Sequence, residues 1–250
     1  MDQRDNLIHR DTFRVRHAEA DRHGGLKLAA WFDFLQETAA NHANRLGFGL
    51  HQIGDTGRLW VLSRLRLRIG GAPVIGETLT VETYPNGLDR LFAKRQFRVF
   101  DGAGTEVACA SSWWLMLHRS NLRPVKPSEM AELHGLNPML PDYFPTGPKQ
   151  PLRELPTAFT LPVRFSMEDV NGHMNNAQYA GLVQDFLALE SEGRPPAVAE
   201  LEIQFHSAVR MPETLAVSGE RTADGTFFVQ GRNAAGGGVF TAAGATRPQK

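Results

Sequence analysis

From Leu28 to Leu46 apolar side chains recur at spacings of three and four: Leu28, Phe32, Leu35, Ala39, Ala43 and Leu46. That is the period of an α-helix with one buried stripe, and Gly47 stands where a left-handed C-terminal cap is expected. A second stripe, Tyr179, Val183, Phe186 and Leu189, is widened by Leu182 and Leu187. After each stripe the period falls to two. Arg64-Leu65-Arg66-Leu67-Arg68-Ile69 alternates strictly, which predicts a strand with three arginines on one face. Further strands are expected over Leu79 to Tyr84, Phe92 to Phe100 and Val107 to Leu117, then over Glu200 to Phe205, Thr214 to Ser218, Phe227 to Arg232 and Val239 to Ala243. Asp101-Gly102 and Asp224-Gly225 are the hairpin signals. A short strand, Phe13 to Arg16 or Leu161 to Phe165, comes before each helix.

The two halves of this pattern match residue by residue. FRVRHAEADRHGGLKLAAWFDFLQE from Phe13 aligns with LPVRFSMEDVNGHMNNAQYAGLVQD from Leu161 at an offset of 148, the separation of Asp21 and Asp169. GETLTV from Gly76 aligns with PETLAV from Pro212 at an offset of 136, the separation of Glu77 and Glu213. An internal repeat on this scale implies one structural unit built twice. One long helix followed by antiparallel strands, done twice, predicts an α+β fold in which each sheet covers its own helix. The expected organisation is a first domain over 1–118, a connector over 119–160, and a second domain over 161–250. The connector holds Pro124, Pro127, Pro138, Pro141, Pro145, Pro148, Pro151 and Pro156, a density that suits an ordered but irregular crossing.

Composition narrows the function. With 250 residues and 42% hydrophobic content, the chain can bury a core without disulfides or metal. Lys plus Arg and Asp plus Glu both total 27, which argues against nucleic-acid binding because displacing phosphate counterions needs a basic footprint. Cys109 is the only cysteine, so no disulfide forms within the chain. The N-terminus lacks an apolar run after a basic start, and no uncharged apolar stretch approaches membrane-spanning length. Cytoplasmic residence is therefore expected.

The candidate chemistry lies in the two aligned turns. Asp21-Arg22-His23-Gly24-Gly25 has one carboxylate. Asp169-Val170-Asn171-Gly172-His173 sets a carboxylate, an amide and an imidazole at alternate positions, which converge if the turn is extended. The competing reading makes them ordinary turn and cap residues.

Six segments in order resemble the acyl-acyl carrier protein thioesterases: LQETAANHANRLGFG (35–49), WVLSRLRLRI (60–69), PVIGETLTVETYP (73–85), FAKRQFRVFD (92–101), SSWWLMLHRSNLRPVKP (111–127) and DVNGHMNNAQY (169–179). The resemblance implies two tandem hotdog domains, each a curved antiparallel sheet around a long helix, the first binding the acyl chain and the second catalytic. It implies hydrolysis of a fatty acyl thioester, carried by acyl carrier protein or coenzyme A, without cofactor or metal. Asp169 would act as nucleophile or general base, with Asn171 and His173 assisting. Backbone N–H groups at the start of the following helix would serve the oxyanion. The family's Glu on the next strand is missing: it falls on Ala208 in one register and on His206 in another, and both stay open.

Trp31, Leu35 and Trp60 are candidates for the acyl pocket, against a plain core role. Arg64, Arg66 and Arg68, with Arg90, Lys94, Arg95 and Arg98, are read either as a positive face for an acidic carrier or as a solvated strand face. No His-x-His or His-Glu-x-x-His spacing suggests a metal site, and no Gly-x-Ser-x-Gly elbow suggests an α/β-hydrolase. A binding or sensor protein that holds an acyl thioester without cleaving it is the alternative function, and a hotdog dehydratase is a third. Oligomeric state stays open, a homodimer included.

Overall fold

The computed structural model describes residues 7–126, 129, 137 and 140–247, without side chains at 51–53. In chain order come β1 (His9–Arg14), α1 (Leu28–Arg45), α2 (Leu50–Asp55), β2 (Arg58–Ile69), β3 (Thr78–Asp89), β4 (Phe92–Phe100) and β5 (Glu106–His118). The second series is β6 (Thr157–Pro162), α3 (Asn176–Leu189), β7 (Val198–Phe205), β8 (Thr214–Arg221), β9 (Thr226–Arg232) and β10 (Gly238–Thr246). The strands before the helices end earlier than expected, at Arg14 and Pro162, because the chain then winds into one-turn 3-10 helices, His17–Glu19 and Phe165–Met167.

Two compact units divide the chain. One comprises Met1–Gly25 and Asp33–Gly147, the other Leu26–Phe32 and Pro148–Lys250. All neighbouring strands within each are antiparallel. The first unit has the order β1-β3-β4-β5-β2. The second repeats it as β6-β8-β9-β10-β7.

In the first unit α1 buries Phe34, Leu35 and Ala39, and the strands bury Leu65, Leu67, Val81, Phe97 and Val99. The helix stops where the sequence indicates. Gly47 takes φ 80°, Phe48 donates to Ala43 O at 2.8 Å and Gly47 to Asn44 O at 3.2 Å, which satisfies carbonyls that the helix end would orphan. The hairpin signalled by Asp101-Gly102 joins β4 to β5 through a loop over 101–105. Asp101 N–H donates to Thr105 O, its Oδ1 accepts from Ala103 and Thr105 N–H, and Gly104 carries the positive φ.

In the second unit α3 buries Ala177, Tyr179, Ala180, Leu182, Val183, Phe186 and Leu187. The Phe186 ring fills the space beside Gly219 of β8, where an added Cβ would lie 2.8 Å from Cζ. Glycine there lets helix and sheet approach, and burial of the ring contributes about 2–3 kcal/mol.

The segment read as a connector, 119–160, is shared between the units, with Pro127 and Pro138 outside the described residues. Its part up to Gly147 belongs to the first unit, where Tyr84 donates to Pro141 O, Lys94 pairs with Asp142, and Trp113 Nε1 donates to Thr146 Oγ1. The part from Pro148 belongs to the second. There the buried carboxamides of Gln204 and Gln230 bind its backbone in both directions: Gln150 N–H to Gln204 Oε1 and Gln204 Nε2 to Pro148 O, then Arg153 N–H to Gln230 Oε1 and Gln230 Nε2 to Arg153 O. Buried amides need partners, and the irregular segment supplies them. No helix among the described residues is long and apolar enough to cross a membrane.

Candidate active site

The duplication holds at atomic detail. Val15 N–H donates to Glu77 O and Val163 N–H to Glu213 O, both at 2.8 Å, so the two repeated sequence landmarks touch each other in each copy. The 3-10 helices lie 148 residues apart, at His17 and Phe165, and so do the first residues of α1 and α3, Leu28 and Asn176. Between them the turns close alike. Asp21 N–H donates to Gly25 O and Gly24 N–H to Asp21 O; Asp169 N–H donates to His173 O and Gly172 N–H to Asp169 O.

This closure corrects the expectation of an extended turn. An i to i+3 bond and a positive φ of 72° at Gly172 fold the segment back on itself, so strand alternation does not aim the three side chains. Asp169 and Asn171 are brought together through the Asn171 backbone N–H, which donates to Asp169 Oδ1 at 2.8 Å. The Asn171 side chain is exposed and the His173 ring half-buried. Among the described residues no hydrogen bond joins the side chains of Asp169, Asn171 and His173.

Asn175 caps α3. Its Oδ1 accepts from Ala177 N–H at 2.8 Å, and its Nδ2 lies 3.4 Å from Asp169 Oδ2. Met174 N–H is taken by Val209 O, Asn175 N–H by Met167 O, and Gln178 N–H by Asn175 O. Asn176 N–H is left as the one donor of residues 174–178 without an acceptor among the described residues. The first copy has Lys27 at the capping position, and Leu28 N–H is satisfied by Gln184 Oε1 at 2.9 Å.

The two registers considered for the missing carboxylate can be placed. Gln204 pairs directly with Thr241, and Phe205 with Phe240. Both phenylalanine rings meet Tyr179 of α3 edge-on, at 5.5 and 5.2 Å. His206 instead reaches Thr241 Oγ1 at 3.0 Å, so it lies on the opposite face of the sheet from α3. It lines an open cleft of about 510 Å³ with Lys149, Gln150, Pro151, Leu152 and Gly238. Burial, reinforced by the Lys149 charge, lowers its pKa and favours the neutral ring. The segment that closes on the Asp169 turn is Ala208-Val209, through the Val209 carbonyl. Ala208 is exposed, so this position carries a methyl group and no carboxylate. Tyr179, edge-on to Phe205 and Phe240, is also hydrogen-bonded to the Val209 backbone. Burial first, then the fields of Glu213 and Asp169, raise its phenol above the usual range.

Of the apolar candidates, Trp31 and Leu35 are core residues, 3% and 0% exposed. Trp60 is half-buried, donates to Phe48 O at 3.1 Å, and packs with Phe48, Leu88 and Ala93 over Met116 and Val125. The arginine strand is covered at one end and open at the other, with Arg64 buried, Arg66 half-buried and Arg68 exposed. Residues 142–147 of the connector lie across it: Arg64 is buried, donates to Gly147 O at 2.6 Å and faces Trp113, while Arg66 and Arg68 stack on Phe144 at 4.7 and 4.8 Å. Arg98 pairs with Glu82 and Lys94 with Asp142. Arg95 turns inward, 3.0 Å from His42 Nδ1 and 3.3 Å from Thr83 Oγ1, and burial lowers its pKa to about 10. We read that lowering as the cost of enclosing a charge, since a guanidinium stays protonated.

Sequence reasoning missed this polar cluster, which also holds His9 stacked on His42 at 5.5 Å. Its signal was present: His42 stands three residues after Ala39, on the buried stripe of α1. Among the described residues no group of three or more His, Cys, Asp or Glu is placed to hold a metal ion.

Comparison with known proteins extends the picture. An acyl-[acyl-carrier-protein] hydrolase of Cuphea viscosissima, described as chloroplastic, is 28% identical over 214 residues, covering 79% of this chain and 50% of the relative. An oleoyl-acyl carrier protein thioesterase of Arabidopsis thaliana, also described as chloroplastic, is 26% identical over 205 residues, covering 74% and 56%. The chain thus spans about half the length of the curated relatives it matches. An acyl-ACP thioesterase structure from Bacteroides thetaiotaomicron superposes with a TM-score of 0.86 at 21% identity, covering 99% of this chain and 100% of the other. At that identity the likeness concerns the fold. The description "Acyl-ACP thioesterase N-terminal domain" matches residues 6–132 and "Acyl-ACP thioesterase C-terminal domain" residues 153–232, so the duplicated turn, helix and sheet belong to a member of the acyl-ACP thioesterase family.

Proposed function

We propose that this chain hydrolyses a fatty acyl thioester to a free fatty acid and a thiol, with acyl carrier protein, or alternatively coenzyme A, as the thiol carrier. Each unit is read as one hotdog domain, the first holding the acyl chain and the second carrying the chemistry. The observation that carries the reading is the asymmetry of the two turns. Their backbones close alike and each has a carboxylate, Asp21 or Asp169, yet Asn171, His173 and the capping Asn175 have counterparts of other chemistry, His23, Gly25 and Lys27, in the first.

Hydrolysis joins water's oxygen to the acyl carbon, breaks the C–S bond and returns a proton to the thiolate. Asp169 serves as general base on that water or attacks as nucleophile. Asn171 orients the water or carbonyl, and the half-buried His173 relays the proton. The free Asn176 N–H at the start of α3, aided by the helix dipole, is the donor offered to the oxyanion. Trp60 and its partners Phe48, Leu88 and Ala93 offer apolar contact to the acyl chain; Trp31 and Leu35 are further candidates for that pocket. Residence in the cytoplasm belongs to the same proposal.

Ala208 favours a second reading, a protein that binds acyl thioesters without cleaving them, because no carboxylate stands at that position. A thiol-trapping dye separates the two. Release from acyl-carrier or acyl-CoA substrates above background supports the enzyme; tight binding with no release at any chain length supports the binder.

A further inference from the structure

Asp169 is gripped at both oxygens, and the second grip comes from the residue that caps α3. We infer that Asn175 is a positioning residue for Asp169: one carboxamide ties the N-terminus of the helix to the carboxylate and fixes how that carboxylate faces its reactant. The inference rests on the reading of Asp169 as base or nucleophile.

Asn175 uses both ends of its amide. Oδ1 accepts the Ala177 N–H at 2.8 Å, the bond that caps the helix, and this fixes the side-chain plane. With that end committed, Nδ2 is directed at Asp169 Oδ2, 3.4 Å away, while Asn171 N–H holds Oδ1 at 2.8 Å. Two donors from different backbone segments restrict rotation of the carboxylate about χ2, a torsion that is otherwise broad. At 3.4 Å the contact is long for a hydrogen bond. Its role is therefore orientation rather than stability.

The first copy is an internal control. Its carboxylate, Asp21, accepts from His23 N–H at 2.8 Å and Gly25 N–H at 3.2 Å, both at Oδ1. The residue at the Asn175 position is Lys27, which has no acceptor to cap a helix. A structural turn with an Asp thus forms without the amide. The amide accompanies the one turn that also has Asn171 and His173.

Asn175→Asp separates capping from positioning. It keeps the acceptor for Ala177, is as good a cap, and adds a charge that the helix N-terminus favours, but it removes the donor and sets a second carboxylate beside Asp169. We expect kcat for thioester hydrolysis to fall by about ten-fold or more, with KM within about two-fold and an unchanged or higher Tm. Asn175→Ser, a neutral cap too short to reach Asp169, should lower kcat in the same way. Wild-type kcat in both variants would overturn the inference, as would a kcat loss that simply follows Tm across them. Asp169→Asn run in parallel distinguishes the failures. Full turnover there sinks the reading of Asp169 and this inference with it; an inactive Asp169→Asn beside an unimpaired Asn175→Asp sinks the inference alone.

Discussion

Arg95 lays Nη1 3.0 Å from His42 Nδ1 inside the first unit, where burial lowers its pKa to about 10. His42 is itself 1% exposed, so an enclosed cation depends on a neutral imidazole and the Thr83 hydroxyl. His42→Leu should cost about 2 kcal/mol or more by urea denaturation, because a charged donor loses its acceptor. The double variant His42→Leu/Arg95→Met should lose less than His42→Leu alone, since removing the cation relieves the unpaired charge.

Gln230 joins the sheet of the second unit to the chain beside it. Its side chain is fully buried and makes two bonds to the Arg153 backbone. Gln230→Leu leaves a backbone N–H and a carbonyl without these partners and should lower stability by about 2–3 kcal/mol. A loss below about half a kcal/mol would mean that the segment detaches easily from the sheet.

The pH dependence of stability should carry a contribution from His206. Burial and the Lys149 charge hold its folded pKa below the ordinary imidazole value of 6.5. Between the two values the unfolded chain binds a proton that the folded chain refuses, so stability falls as pH drops below 6.5. His206→Gln should flatten the change in urea midpoint between about pH 7.5 and 5.5. An equal slope in both proteins would remove His206 as its source.

On the proposed function, Asp169→Ala and His173→Ala should each depress turnover by about a hundred-fold or more while folding is kept. Far-UV circular dichroism and a thermal melt check the second condition. Both variants at full rate would show that the chemistry lies elsewhere.

The order of elements was legible in the sequence because it rests on local rules. The 3.6-residue stripe of α1, its stop at Gly47, and the Asp-plus-Gly turns are set by neighbours within a few positions. The repeat offset went further, since the turns and helix starts it aligned do correspond, although the 3-10 helices before them were not foreseen. Tertiary structure decided the rest. Alternation put Arg64, Arg66 and Arg68 on one face, but Phe144, Trp113 and Gly147 determined that Arg64 is buried there while Arg68 stays exposed. Spacing set Asp169, Asn171 and His173 at alternate positions, but the bond from Gly172 to Asp169 folded the turn and left their side chains unconnected. The sequence beyond β7 did not show where His206 and Ala208 lie; the Thr241 contact puts His206 on the face away from α3, and the Val209 carbonyl brings Ala208 beside the Asp169 turn. A helical or strand period is written within a few residues, whereas the cover on a face and the neighbour across a sheet come from residues tens of positions away, whose pairing only the folded chain selects.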